Sequence, residues 1–216
     1  MRSVDPIALA FSLALFAVIP LVIVTTTCFL KISIVLALVR NALGVQQSPP
    51  NLAIYALALL LTLYVMAPVG SEIVDALGDV PDSSASVTTL FAQVRKGAEP
   101  MRKFLVNNSK QGQRNFFLDR AKQVWPAKLS ADAKHTDFLI TVPAFVVSEL
   151  TAAFQIGFLL YMPFIVIDLV ISNILMAMGM MMVSPVTISL PLKLFLFVMV
   201  DGWSRLIHGL VQTYSV

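Results

Sequence analysis

Charge is what this chain has least of. Lys and Arg number 15 and Asp and Glu 12, so charged residues make up 12% of the 216 positions, about half the usual share of a soluble domain. Apolar residues reach 58%, and a soluble fold of this size cannot hide that much apolar surface. A cytosolic enzyme, a nucleic-acid-binding domain and a disordered chain are excluded on this ground. The net charge of +3 is mild and its residues are segregated, so no polyanionic partner is indicated. A single cysteine, Cys28, permits no intrachain disulfide and leaves the redox compartment open. No Gly-rich phosphate loop ending in Gly-Lys-Ser/Thr and no Gly-x-Ser-x-Gly elbow is present, which argues against nucleotide hydrolysis and serine-hydrolase chemistry. The two histidines, His135 and His208, stand alone, and no Cys/His cluster offers a zinc site. No catalytic residue, cofactor or metal is therefore expected.

What is present is apolar sequence of bilayer length. Ile7 to Leu30 is 24 residues without a charge, about 36 Å as a helix against a hydrocarbon core of about 30 Å. Pro20 lies inside it, where a kink or break is expected. Asn51 to Ser71 is a second uncharged run, preceded by Ser48-Pro49-Pro50 as cap and first-turn proline. Phe138 to Val200 carries only Glu149, Asp168 and Lys193 in 63 residues, room for two crossings broken near Met178–Pro185. The expectation is an all-α, integral-membrane type of fold with four long apolar helices in two kinked hairpins, residues 1–71 and 138–216. The opening run is too long for a signal-peptide core and shows no small-residue cleavage site, so it reads as a retained segment. Lys31 and Arg40 favour a cytoplasmic first loop, while Lys193 and Arg205 pull weakly the other way.

Between the hairpins, residues 72–137 hold 18 of the 27 charges, ten basic and eight acidic, and read as a small helical extramembrane domain. Val87, Leu90, Phe91, Val94, Ala98, Met101 and Leu105 follow a helical period, with Gly97 and Pro100 as interruptions. Phe116, Phe117, Val124 and Trp125 mark a second helix stopping at Pro126. Pro81–Ser84 and Asn107–Ser109 read as loops. The basic residues are a solvated face or a surface that docks on a ring-shaped partner or lipid head groups.

Three features stand out in the apolar segments. A charge at membrane depth costs a few kcal/mol and usually finds a partner. Glu149 lies near the middle of its apolar run, so a pair with Lys193 on the other arm of the hairpin is expected, within a subunit or across a seam. Two helix-end residues reaching to head groups are the alternative. Asp168 can equally mark an aqueous end. Ala144, Ser148 and Ala152, and Ala153 and Gly157, recur at four-residue spacing, which allows close helix packing within one chain or between protomers. Five of the ten methionines fall in residues 176–182. Set round an axis by several subunits, Met180, Met181 and Met182 would form a deformable hydrophobic constriction; loop packing or lipid contact is the alternative.

Four stretches resemble one family: Leu38–Asn51 (LVRNALGVQQSPPN), Pro143–Phe158 (PAFVVSELTAAFQIGF), Pro163–Val170 (PFIVIDLV) and Met180–Pro185 (MMMVSP). They are similar to the FliP/SctR inner-membrane export-gate proteins of bacterial type III secretion systems, over nearly the whole chain outside the middle. The resemblance implies a non-enzymatic core pore subunit that passes unfolded protein substrates across the bacterial inner membrane. It implies homo-oligomerisation, about five copies round an axis, with FliQ/SctS- and FliR/SctT-type companions, an FlhB/SctU-type switch protein and an FlhA/SctV-type export-gate protein. It maps the family's methionine gasket onto Met180, Met181 and Met182 and its buried charges onto Glu149 and Lys193. It also implies a conical assembly raised toward the periplasm, in which four apolar runs need not be four conventional crossings. Flagellar relatives tend to carry a cleavable leader, whereas this chain starts almost directly at its first apolar segment, which favours the injectisome type. The rival reading is an ion or small-solute channel or transporter using Glu149 and Asp168 as a relay, with an intramembrane hydrolase last.

Overall fold

Long apolar runs with helical spacing fold as helices, and no strand occurs among the described residues. The computed structural model describes residues 6–45, 48–78, 93–180 and 182–215, with the side chains of residues 6–12 and 15 outside that description. The elements are α1 (Pro6–Thr26), α2 (Phe29–Ala42), α3 (Asn51–Leu77), α4 (Glu99–Asn108), α5 (Gln111–Val124), the single turn α6 (Ala127–Ser130), α7 (Phe138–Ala177), α8 (Pro185–Met199) and α9 (Gly202–Gln212). Val87, Leu90, Phe91, the Pro81–Ser84 loop and Met181 lie outside the described residues.

The all-α expectation holds, with corrections to where the helices bend. Helix α1 runs unbroken through Pro20. The chain bends instead at Thr27–Cys28, by 70° between α1 and α2. Three consecutive threonines explain the position. Thr25, Thr26 and Thr27 donate their hydroxyls to the carbonyls of Leu21, Val22 and Ile23 at 2.8, 2.7 and 2.6 Å, and such bonding to the preceding turn bends helices. The second apolar helix extends past Ser71 to Leu77, taking in Glu72 and Asp75. Two helices, α3 and α7, are long and apolar enough to cross a membrane, and up to four spans result if each bent pair, α1 with α2 and α8 with α9, counts as one. The 40 residues of α7 extend about 60 Å, twice a hydrocarbon core, so much of this helix stands outside any bilayer it crosses.

Helix α2 is the hub, packed against α1, α3 and α7. Ile32, Val35, Leu36 and Val39, all 0–1% exposed, form one face at the i, i+3, i+4, i+7 spacing of an amphipathic helix. Arg40 at its end reaches the start of α3, donating to Asn51 Oδ1 at 2.5 Å and Pro49 O at 3.3 Å. The small-residue stripe of α7 closes within the chain: Ala144 and Ala153 are fully buried, and a Cβ at Gly157 would come within 3.2 Å of the Leu38 Cβ of α2.

The polar middle is held on α7. Phe104 of α4 meets Phe145 with ring centroids 5.8 Å apart, and the Lys110 N–H donates to Ser148 Oγ at 2.9 Å. Asn107 and Asn108 finish α4 rather than lying in a loop. Arg114 caps that helix end, donating to Val106 O at 2.6 Å and to Ser109 O at 2.5 Å, a use of a cation at C-terminal carbonyls. The interruption foreseen at Gly97–Pro100 is a turn at Ala98, and α5 ends before Pro126 as its proline requires.

Candidate functional site: two ion pairs and a methionine turn

Four isolated charges in the apolar helices meet in two pairs, and the pairing differs from the one expected. Within one chain Glu149 does not meet Lys193. Glu149 Oε1 lies 3.1 Å from Lys31 Nζ of α2, with the two side chains 3% and 5% exposed. Lys193 of α8 lies 2.6 Å from Asp168 Oδ2 of α7. The reason is helical length. Asp168 stands 10 residues before Met178 and Lys193 stands 9 after Ser184, so they are level across the turn; Glu149 stands 29 before it. At 1.5 Å per residue the mismatch between Glu149 and Lys193 is about 30 Å.

Each pair is completed by neutral groups, as a buried pair must be to offset desolvation. Around Glu149, the Tyr214 hydroxyl donates to Oε2 and lies 3.3 Å from the Cys28 carbonyl at the α1–α2 bend. Lys31 Nζ sits 3.8 Å from the centroid of the Tyr214 ring, so the cation has a carboxylate on one side and an aromatic face on another. Tyr214 is placed by stacking on Phe104, centroids 6.2 Å apart. The tail beyond it is clamped by Asn108, whose side chain donates to Ser215 O at 2.9 Å and accepts from Ser215 N at 3.2 Å. Around Asp168, Ser189 donates to Oδ1 at 2.6 Å, and Lys193 also donates to Ala42 O, the last carbonyl of α2, at 3.4 Å. Lys193 is buried, but the Asp168 side chain is 37% exposed, so this pair opens on one side to whatever surrounds the hairpin.

Sequence reading singled out Glu149, Asp168 and Lys193 but missed Lys31 and Tyr214 as their partners. The signal for Lys31 was that it, like Arg40, stands in apolar sequence with no acid near it. Tyr214 gave none, because its partner is brought by the fold alone.

The turn between α7 and α8 carries the methionines. Gly179 takes φ 76°, the left-handed region where glycine carries no steric cost, and lets the chain reverse. Met176, Met178, Met180 and Met182 are 58, 67, 40 and 101% exposed, so these apolar side chains sit outside the chain's own core. Met181 lies outside the described residues. Among the described residues no group of three or more His, Cys, Asp or Glu converges as a metal site would require.

Apolar helical hairpins that are apolar outside and neutralise their few charges pairwise inside define a membrane-type helical subunit whose surface is made for lipid or for other chains. The chain belongs to the FliP family, whose model matches residues 12–210. It is 52% identical over 211 residues to Yop proteins translocation protein R of Yersinia pestis, covering 98% of this chain and 97% of that protein. It is 49% identical over 210 residues to the probable translocation protein y4yL of Sinorhizobium fredii, covering 97% and 95%, and 46% identical over 210 residues to harpin secretion protein HrcR of Erwinia amylovora, covering 97% of each.

Proposed function

We propose that this chain is a core pore subunit of a type III protein-secretion export gate of the injectisome type, set in the bacterial inner membrane and passing unfolded polypeptides across it. The observation that carries this reading is the end-to-end identity of 52% with a Yop translocation protein, supported by the harpin secretion relative. The subunit acts without catalysis. Several copies, about five round an axis, assemble with FliQ/SctS- and FliR/SctT-type companions and stand against FlhB/SctU- and FlhA/SctV-type proteins. The length of α7, about twice a bilayer core, supports a gate that rises out of the membrane toward the periplasm.

In this reading the exposed thioethers of the α7–α8 turn face the common lumen. Met180, Met181 and Met182 from each copy close it against water and ions, and their flexible, polarizable chains yield to a passing polypeptide of any sequence. The two ion pairs serve the scaffold. Lys31–Glu149 fixes α2, α7 and the tail together, and Asp168–Lys193 holds the two arms of the hairpin that presents the methionines. Deleting the gene stops secretion of every substrate of the system and leaves small-solute uptake intact. Undiminished secretion in the deletion strain rejects the export reading, and a selective loss of solute uptake favours the channel.

A further inference from the structure

An apolar groove of about 410 Å3 opens where α9 leaves α2, α7 and α8, a volume within the range of small-molecule sites. Val39, Leu160, Phe164, Phe197 and Leu206 form its walls, and Arg205 and Thr213 are its polar side chains. The groove belongs to neither ion pair. A Cβ built on Gly209, on its wall, would meet nothing within 4 Å, so the space beside α9 is open.

The charge on this groove is of one sign. Among the described residues Arg205 has no ion-pair partner. The nearest acid along the chain, Asp201, accepts from Ser204 Oγ at 2.9 Å and sits at the 61° bend between α8 and α9. Beyond the bend, α9 turns Leu206 and Leu210 inward and leaves Arg205, His208 and Gln212 exposed. Trp203 is the second residue of α9, its ring against Phe197 with centroids 5.3 Å apart. A charged bend, a tryptophan beside it and a helix polar on one side and apolar on the other are the features of a segment at head-group depth.

We infer that this groove takes an acidic phospholipid, one acyl chain lying between α7 and α9 against Leu160, Phe164 and Leu206, and the phosphate on the Arg205 guanidinium. An apolar slot matches the chain. A planar guanidinium without a carboxylate matches a phosphate with two parallel hydrogen bonds. A zwitterionic lipid would bring its own cation to the same place. The inference does not rest on the export reading; it requires only that the apolar helices meet lipid.

The test uses the assembled complex purified in detergent, with dioleoyl phosphatidylglycerol or dioleoyl phosphatidylcholine added back and retention measured by native mass spectrometry. Phosphatidylglycerol is expected to be retained about five-fold more, the effect of one cation near an anionic head group. Arg205→Gln abolishes that preference. Gly209→Leu fills the groove and reduces retention of both lipids, and leucine is the better helix former at that position. On the unsubstituted complex, a phosphatidylglycerol with a photoreactive acyl chain is expected to label α7 and α9. Equal retention of the two lipids, an unchanged preference in Arg205→Gln, or labelling confined to other faces overturns the inference. So does crosslinking of groove residues to a second protein chain, which would assign the groove to a subunit contact. Secretion assayed separately in the deletion strain keeps the export reading distinct from this outcome.

Discussion

Tyr214 donates its hydroxyl to Glu149 while its ring lies against the ammonium of Lys31, the partner of the same carboxylate. One aromatic residue near the end of the chain thus serves both members of an ion pair drawn from α2 and α7. The consequence is that these two helices and the tail close as one unit, with Asn108 of α4 fastening the tail from outside. The polar middle of the chain is therefore tied to the apolar part through its most buried charges.

Removing one member of this pair should be costly. Glu149→Gln leaves Lys31 buried without its counter-charge, a change worth about 3–5 kcal/mol. We expect loss of the folded subunit from the membrane fraction and failure to enter the assembled complex. Replacing both, Lys31→Met with Glu149→Met, should recover much of the loss, since a well-packed apolar pair is often as stable as a buried ionic one. Membrane-fraction abundance and entry into the complex, compared for the unsubstituted chain, Lys31→Met, Glu149→Met and the double variant, read the coupling. Additive losses would mean that the two charges act separately.

Tyr214→Phe separates the hydroxyl from the ring. The stacking on Phe104 and the contact with Lys31 survive, and only the hydroxyl's contacts with Glu149 and the Cys28 carbonyl are lost, a loss of about 1.5–3 kcal/mol for a bond to a charged group. Tyr214→Ala should cost more, because it also empties the space beside Phe104 and uncovers Lys31. A lower melting temperature in the order Phe then Ala is the expected result. Equal effects would place the whole contribution in the hydroxyl.

The pairing across the hairpin makes a prediction that separates two arrangements of the same four charges. Asp168→Lys should disrupt the hairpin and be partly rescued by Lys193→Asp, because the two groups face each other at 2.6 Å. Glu149→Lys should not be rescued by Lys193→Glu, because within the chain Lys193 is held by Asp168 and Ala42. Secretion and subunit assembly, scored in the two double variants, check both. Rescue of the second pair alone would mean that Glu149 and Lys193 meet between subunits.

The helices were legible in the sequence because apolar run length and period are local properties: α3, α7 and α8 start where Pro50, Asp137 and Ser184 place them. The bend after α1 was misplaced because proline is the familiar breaker. The effective one was a run of three hydroxyls whose side chains compete for helix carbonyls. The charges were recognisable as unusual and as needing partners, but partner choice depends on register between helices distant in sequence. Asp168 and Lys193 could have been matched by counting outward from the turn. Lys31 and Tyr214 could not be matched to Glu149 this way, since no count links α2 to the end of the chain.

The methionine turn yields the prediction closest to function. Met180 and Met182 extend outside the chain's own core, so shortening them should leave each subunit folded, in contrast to truncations in the Glu149 cluster. If the side chains of several copies seal a shared lumen, replacing Met180, Met181 and Met182 together by alanine removes three flexible chains per copy and widens the constriction. Water and ions should then cross the resting gate. The expected result is a raised membrane conductance, read as dye or ion leakage, in cells that still assemble the complex and still secrete. Leucine replacements keep apolar bulk but lose the thioether's adaptability, so they should restore the seal and slow secretion instead. An unchanged conductance in the triple alanine variant, with assembly intact, would remove these residues from the lumen and assign their exposure to lipid or subunit contact.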